Sequence, residues 1–337
     1  MIRSLYPVIC QLFHQAMGIP HTPETVNRKL KTRNRKLYVI LFALLALMLN
    51  GCGRAPGPII IFGSPDSPRM RQAVAGVQAK LGATPGEVVY VPEFGPQGKE
   101  TLRRLRQRQP RLLIVLGTPA LMLAAPVVKT APVVFGLVAN PYFTGAIYEP
   151  AHPEIHQENV TGIFTPAPLD ASLQQGTSLL GQGPWGLLYD PTDGVAADFA
   201  QRFVKTAPRF GVQPLVETSV EAATDGPGLT KLIKQGARVV YLPPAASAMR
   251  YAPLVLEWGQ QMRVRVVSSL PEGSHQGATL WVAVDYHRLG EDIGDMARRV
   301  QTGDKPKAMP IVEKIPLTVE VDETLLRKWS GYPPVIK

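Results

Sequence analysis

Short hydroxyl, amide and carboxylate side chains follow the long apolar runs of this sequence. Thr118 comes directly after "RLLIVLG", Asn140 after "APVVFGLVA" and Asp190 after "WGLLY". If the runs are parallel strands, these side chains lie together, because ligands of open parallel sheets bind beyond the carboxyl ends of the strands. A set with so few charges would hydrogen-bond a modest polar ligand. The residues that we select as ligand-binding on this basis are Ser64, Ser67, Thr118, Asn140, Asp190, Pro243, Ser269 and Asp285.

Asp285 allows two interpretations. It follows the apolar run "ATLWVAV" and opens a segment in which Leu289, Ile293 and Ala297 recur at helical spacing. An aspartate there is a good helix N-cap, because it accepts a backbone N–H and suits the helix dipole. The same position at a strand end could also place the carboxylate against a ligand donor. Both interpretations stay open, and we favour the ligand contact.

The sequence lacks the motifs of catalysis and of cofactor binding. It has no glycine-rich dinucleotide or phosphate loop and no G-x-S-x-G nucleophile elbow. His152 and His156 flank a proline in an irregular stretch, so we expect solvated loop histidines rather than metal ligands. His287 is expected to be a surface residue at a helix N-terminus. Cys10 and Cys52 are the only cysteines. We therefore predict a protein that is not an enzyme and that uses no cofactor or metal.

Strands and helices alternate along most of the chain and would position these residues. For example, "PIIIFGS" is followed by a segment in which Met70, Val74, Val77 and Leu81 recur at helical spacing. Continuous β-branched runs between amphipathic helices are typical of parallel strands covered on both faces. The alternation breaks only in a proline-rich stretch at about 140–170. The pattern predicts an α/β fold with two Rossmann-like lobes, each a parallel sheet flanked by helices.

A short apolar run near the N-terminus predicts export. Residues 37–49 are thirteen apolar residues preceded by "NRKLKTRNRK", which holds six Lys and Arg. The run is too short to cross a bilayer, which takes roughly 20 residues, but it fits the core of a secretory signal. The following Leu49-Asn50-Gly51-Cys52 resembles the lipobox of bacterial lipoproteins, in which the cysteine is lipidated after cleavage. The alternative is a buried hairpin helix that ends in an ordinary cysteine. The first ~25 residues, with Cys10, are interpreted as an upstream extension that we do not expect to form part of the domain.

Most of the positive charge belongs to this leader. Residues 1–51 contain seven Lys and Arg and one Glu, so they hold +6 of the total net charge of +10 and leave +4 for residues 52–337. The net charge that remains on residues 52–337 gives little support for nucleic-acid binding, and we predict no nucleic-acid partner. The remaining basic cluster, "TLRRLRQRQPR", is interpreted as the solvated face of a helix, with a binding patch as the alternative.

Seven sequence segments together resemble the substrate-binding lipoproteins of tryptophan- and tyrosine-type ABC transporters. They cover roughly residues 58–330, in family order: "LLIVLGTPA", "APVVFGLVANP", "ENVTGIFT", "GLLYDP", "RVVYLPP", "VVSSLPEGSHQGATLWVAVDYHRLGEDIGDMARRVQTGDKP" and "PLTVEVDETLLRK". The resemblance implies the type I periplasmic-binding fold, with two lobes joined by three crossovers and closing on a small solute. It also implies a membrane permease and an ATPase as partners, and a location on the periplasmic side in a Gram-negative host.

The N-terminal residues and the resemblance together imply domain boundaries. The expected parts are an extension and signal peptide at 1–51, a tether at 52–57, a first lobe at 58–162 plus about 284–305, and a second lobe at 163–283 plus about 306–337. The crossovers are expected near 159–165, 284–285 and 305–316, which adds Asn159 to the ligand-binding residues.

The sequence departs from the family at positions that affect specificity. Residues 190–196 lack the amide–hydroxyl pair that family members binding aromatic amino acids commonly carry there, and Asn140 stands where an Asp is often found. The first hypothesis is a lipid-anchored solute-binding subunit of an ABC importer, for a small polar or aromatic solute. The alternative is a sensory or structural lipoprotein without a transport role. Gly53 after Cys52 favours outer-membrane sorting, because Asp there favours retention in the inner membrane.

Overall fold

The computed structural model describes residues 57–63, 66–82, 86–91, 95–149, 152–218, 226–271 and 275–328. All of them belong to one compact unit. The signal-like run, Cys10, Cys52 and Ser64 lie outside the described residues. Among the described helices, none is both long enough and apolar enough to cross a membrane.

The first lobe is built on a six-stranded, fully parallel sheet. Its inner strands are short runs of Ile, Leu and Val that are buried on both faces, as expected for a parallel sheet with helices on each side. The sheet order is β13-β7-β4-β3-β1-β2. The strands are β1 (Ile59–Gly63), β2 (Glu87–Tyr90), β3 (Leu112–Leu116), β4 (Val133–Val138), β7 (Val160–Phe164) and β13 (Val312–Glu313), and the helices of this lobe are α1 (Pro68–Leu81), α2 (Pro96–Gln107), α3 (Thr118–Ala124) and α8 (Tyr286–Thr302).

The second lobe repeats this plan. Its sheet order is β14-β12-β11-β10-β8-β9, and β14 alone is antiparallel to its neighbour. Trp185 and Tyr241 are fully buried on one face of this sheet. The strands are β8 (Gly183–Tyr189), β9 (Val212–Thr218), β10 (Val239–Leu242), β11 (Arg265–Ser268), β12 (Leu280–Val284) and β14 (Leu317–Val321), and the helices are α4 (Leu169–Leu180), α5 (Gly194–Thr206), α6 (Gly226–Lys234), α7 (Ala246–Met262) and α9 (Glu323–Lys328). The predicted fold class, two α/β lobes with flanking helices, is confirmed.

The proline-rich stretch contains more regular structure than its composition suggests. It holds β5 (Ile147–Glu149) and β6 (His152–His156), which pair as an antiparallel hairpin, and then β7 of the first sheet. His156 is buried, and its Nδ1 lies 3.0 Å from the carbonyl oxygen of Gln157, so the expectation of a solvated loop histidine is wrong there. His152 is exposed and lies 3.0 Å from Glu154. Tertiary pairing imposed this hairpin on a stretch without clear periodicity.

The chain passes between the two sheets three times. It leaves the first lobe after Phe164, returns after Val284, and leaves again between Glu313 and Leu317. The passages are hydrogen-bonded to one another: Lys314 N donates to Phe164 O (3.0 Å) and Asp285 N donates to Pro316 O (2.9 Å). The last passage comes later than the boundary expected at about 306, because β13 pairs with β7 in the first sheet.

Helix α8 returns to the first lobe and packs against α1 with the two backbones in direct contact. A Cβ on Gly290 would lie 2.1 Å from Ala73 O, and one on Gly76 would lie 2.1 Å from His287 O. Only glycine permits this approach. The contact holds the start of α8, and therefore the Asp285 passage, against the first lobe. His287 itself is exposed in the first turn of α8, as the sequence predicts.

Candidate ligand-binding cleft

The carboxyl ends of both sheets meet at the three passages. The chain leaves the first sheet at the carboxyl end of β7 and the second at the carboxyl end of β12. Lys314 contacts the first of these ends, and Pro316 contacts the residue after the second. Ligands of open parallel sheets bind at such ends, so the space between the two carboxyl edges is the candidate site.

The first lobe contributes neutral polar groups to this edge. Thr118 opens α3, and its Oγ1 accepts a hydrogen bond from Ala139 N (3.3 Å), which brings it beside Asn140. Asn140 is exposed, and its Oδ1 accepts from Tyr142 N (3.0 Å). Ser67 caps α1 by accepting from Met70 N (3.3 Å). These hydroxyl and amide groups stand at the ends of neighbouring strands, where each has hydrogen-bonding capacity beyond its local backbone partner.

An aromatic pair that the sequence analysis did not select adjoins these groups. The rings of Tyr142 and Phe164 are 6.2 Å apart and tilted by 59°, and both are partly exposed. Phe164 ends β7 at the first passage between the lobes, and Tyr142 follows Asn140 by two residues. Phe143, next in the chain, is 79% exposed. The signal available in the sequence was the run of two aromatic residues, Tyr142 and Phe143, directly after "ANP".

An ion pair occupies the edge of the second lobe. Asp190 accepts hydrogen bonds from the N–H (2.8 Å) and the hydroxyl (2.6 Å) of Thr192, and Arg250 Nη2 lies 2.7 Å from its other oxygen. The bonds from Thr192, with the charge of Arg250, hold the pKa of Asp190 below its usual range. Arg250 lies on α7, eight residues after the end of β10, so a selection of residues that directly follow strands misses it. Its side chain is 60% exposed.

Asp193 links the starts of two helices, α5 and α7, at the same edge of the second lobe. Its Oδ1 accepts from Val195 N (3.0 Å) and Ala196 N (3.3 Å) at the start of α5, and its Oδ2 accepts from Ser247 N (3.0 Å) at the start of α7. One carboxylate thus satisfies free N–H groups of two helices. Burial alone would raise the pKa of Asp193, but these hydrogen bonds outweigh burial and lower it.

Ser269 and Pro243 are buried beneath this edge. The Ser269 hydroxyl lies 2.8 Å from Tyr241 Oη and 3.2 Å from Ser172 Oγ, so protein groups already satisfy it. Burial raises the pKa of Tyr241 to about 12, so it stays neutral. Pro243 offers only its shape and its carbonyl, which accepts from Ala245 N (2.8 Å). In this conformation neither residue presents a free polar side chain to the cleft.

Asn159 lies at the opposite edge, which corrects its selection as a cleft residue. It precedes β7, and its Nδ2 donates to Val128 O and to Ala131 O, each at 2.9 Å. Its own carbonyl accepts from Val133 N, at the amino end of β4. The passage between the lobes follows β7, whereas Asn159 comes before it. Asn159 therefore ties the amino ends of two strands together.

Asp285 caps α8 and also lies at a passage between the lobes. Its Oδ1 accepts from Arg288 N (2.9 Å), and its N–H donates to Pro316 O (2.9 Å). The capping interpretation is therefore confirmed, and the ligand contact stays a prediction. No group of three or more His, Cys, Asp or Glu side chains that could hold a metal ion occurs among the described residues.

The family model of the ABC transporter substrate binding proteins matches residues 98–328. The chain belongs to this family. The family consists of solute-binding proteins rather than enzymes, and its members are extracytoplasmic. No curated protein sequence matches the chain significantly.

Solved structures show the same fold at low sequence identity. The ligand-free, open structure of CD0873 from Clostridium difficile, a substrate binding protein with adhesive properties, is 17% identical, covers 82% of this chain and 96% of its own, and has a TM-score of 0.71. An ABC domain in complex with L-Trp from Streptococcus pneumonia is 16% identical, covers 84% and 96%, and has a TM-score of 0.62. A LacI transcriptional regulator from Lactobacillus brevis is 13% identical, covers 78% and 100%, and has a TM-score of 0.55.

Proposed function

We propose that this chain is the lipid-anchored solute-binding subunit of an ABC importer and that it binds a small polar or aromatic solute between its lobes. The observation that carries the proposal is the meeting of two carboxyl sheet edges at three passages, in a chain of the substrate-binding family. Permease and ATPase subunits are the partners that an importer requires. The fold by itself does not select transport, because a transcriptional regulator shares it.

The chemistry of the two edges supports the ligand class. The first lobe offers Thr118 and Asn140 beside the aromatic pair Tyr142–Phe164. The second lobe offers the guanidinium of Arg250, which is held beside Asp190 on a largely exposed side chain. Tilted rings bind the face or edge of a second aromatic ring, and a guanidinium binds a carboxylate through a planar fork. The combination suits a small aromatic acid or amino acid, and the similarity to a protein in complex with L-Trp supports testing such solutes first.

Export and anchoring are supported by the N-terminal sequence. The signal-like run and the lipobox-like Leu49-Asn50-Gly51-Cys52 place a cysteine where a lipidated residue is expected. A diacylglycerol with a further acyl chain holds a protein on a membrane far more firmly than one acyl chain, which gives only marginal binding. The protein would then face the periplasm in a Gram-negative host, with outer-membrane sorting favoured by Gly53.

A thermal-shift screen of residues 57–337 tests ligand binding. The panel holds amino acids, small peptides, purines and aromatic acids. A ligand that binds only the folded state adds about 2.7 kcal/mol of stability at a hundredfold excess over its Kd. We expect a hit whose affinity, measured by calorimetry, falls in Arg250→Gln and is unchanged in the control Arg202→Gln on α5. Cells that lack the gene should then take up the hit more slowly.

A sensory or structural lipoprotein is the second candidate. The observation that favours it is the Asp190–Arg250 ion pair, which occupies the start of residues 190–196, where this sequence lacks the amide–hydroxyl pair that the family resemblance leads us to expect. This candidate predicts no hit across the panel, or a hit whose uptake does not depend on the gene. Either result would remove the importer proposal.

A further inference from the structure

Positive charge is concentrated on α2 and the turn that follows it. Residues 95–111 hold a net charge of +5, from six Lys and Arg against Glu100 alone, whereas the whole of 52–337 carries only +4. The rest of the mature chain is therefore close to neutral. We name this set the basic face; it consists of Lys99, Arg103, Arg104, Arg106, Arg108 and Arg111.

Most of the basic face is exposed to solvent. Helix α2 buries Gly98, Leu102 and Leu105 against the first lobe, so its cationic residues point outward. Glu100 accepts from both Arg103 (2.7 and 2.8 Å) and Arg104 (2.9 Å), and Glu87 accepts from Arg108. Two acids thus face six cations. Lys99 and Arg106 form no ion pair with any described residue, so a net positive potential remains.

The basic face lies where the chain enters the first sheet. Arg111 N donates to Pro58 O (3.1 Å), and Gly57 packs so closely that a Cβ there would lie 2.0 Å from Gln109 O. Cys52 is five residues before Gly57. Five residues span at most about 18 Å when fully extended. A lipid on Cys52 would therefore keep the basic face close to the bilayer.

A groove beside α2 combines apolar and basic groups. It has a volume of about 660 Å³ and is lined by Leu102, Leu105 and Val128, with Arg103 and Arg106 at its side. A phospholipid has the same two kinds of group side by side, since its phosphate lies next to the apolar glycerol and acyl region. The phosphate matches the arginines of the groove, and the apolar region matches its Leu and Val side chains. Anionic headgroups also attract basic segments within a Debye length of about 8–10 Å.

We propose that the basic face docks on the anionic headgroups of the membrane that carries the lipid anchor. This inference rests on the anchoring part of the proposed function. It also assigns an orientation: the amino edge of the first sheet, where residues 57–58 and Asn159 lie, faces the bilayer, and the cleft at the carboxyl edge faces away from it. Docking therefore leaves the cleft open to solute.

Vesicle co-sedimentation of residues 57–337 tests the docking without the anchor. This part carries both cores, and the solved structures of similar proteins cover only about this much of the chain. The vesicles contain phosphatidylcholine with about 30% phosphatidylglycerol, or phosphatidylcholine alone. Each basic residue near an anionic surface is worth about 1 kcal/mol, roughly fivefold in binding. We expect R103Q together with R106Q to weaken binding to the anionic vesicles about 10- to 30-fold. Binding of the wild type should also be weaker at physiological salt than at low salt.

The control is K231Q together with K234Q, two exposed residues on α6 of the second lobe. It removes the same charge and should bind vesicles like the wild type. Equal losses in the two double variants, equal binding to neutral vesicles, or tighter binding to RNA than to anionic vesicles would each overturn the docking. Mass spectrometry of Cys52 from cells separates this inference from the proposed function. A lipidated Cys52 with no vesicle binding by the domain removes the docking and leaves the anchor. An unmodified Cys52 removes the anchor, and with it the docking on an anchoring membrane, even if the domain binds vesicles.

Discussion

Asp193 holds the second-lobe edge of the cleft, and its removal gives the sharpest test of this geometry. In Asp193→Ala, α5 loses its N-cap, which costs about 0.5–2 kcal/mol. The N–H of Ser247, in the first turn of α7, also loses its acceptor 3.0 Å away. A partly buried donor without a partner costs about 1–3 kcal/mol. We expect a loss of about 3 kcal/mol in the free energy of unfolding.

Thermal unfolding measures this loss against a matched control. For a folded part of about 280 residues, about 3 kcal/mol corresponds to a Tm lower by roughly 5 °C. Asp198→Ala removes the same charge from an exposed position on the same helix and should change Tm by about 1 °C or less. Amide hydrogen exchange should also accelerate at Val195, Ala196 and Ser247 in the Asp193 variant alone. Equal Tm values for the two variants would refute the role of Asp193 as a double cap.

The pH dependence follows from the lowered pKa of Asp193. Its hydrogen bonds place the folded-state pKa below the ordinary value of 3.8. The stability that they provide is therefore fully present well above pH 3.8 and is lost as the pH falls through the folded pKa. The difference in stability between the wild type and Asp193→Ala should thus be constant near neutral pH and shrink in acid. A difference that grows in acid would contradict the assignment.

Three further predictions test the anchor, the passage and the packing of α8. Cys52→Ala should leave a soluble or uncleaved protein in cell fractions, and a mature, membrane-bound variant would show that the lipoprotein assignment is wrong. Asp285→Asn keeps the cap, so the free energy of unfolding should stay near that of the wild type. Calorimetry with the ligand found by screening should show a binding free energy weaker by about 1–3 kcal/mol. An affinity equal to that of the wild type would remove Asp285 from the site. Gly290→Ala places a Cβ within 2.1 Å of Ala73 O and should lower the free energy of unfolding by about 1–3 kcal/mol. The control Gly194→Ala, which has open space around it, should be neutral or stabilising. Equal effects of the two substitutions would contradict the close approach of the helices.

The sequence by itself determined the architecture, because each element carries its own local signal. Runs such as Ile59–Gly63 and Leu112–Leu116 are apolar throughout, which only a strand covered on both faces requires. Alternation with amphipathic helices then leaves few arrangements other than parallel α/β lobes. Strand ends were equally readable, so Thr118, Asn140 and Asp285 were correctly expected after strands of the two sheets.

Only the tertiary structure decided which of these polar residues reach the cleft. Ser269 follows a strand as Thr118 does, yet Tyr241 and Ser172, which are 28 and 97 residues away in sequence, bury its hydroxyl. Asn159 lies at the amino end of β7, and Arg250 meets Asp190 across 60 residues. The hairpin β5–β6 and the pairing of β13 with β7 likewise depend on partners that are distant in the chain. Local periodicity reports whether a side chain is buried within its own element, whereas its partners are set by packing between elements, which no local pattern records.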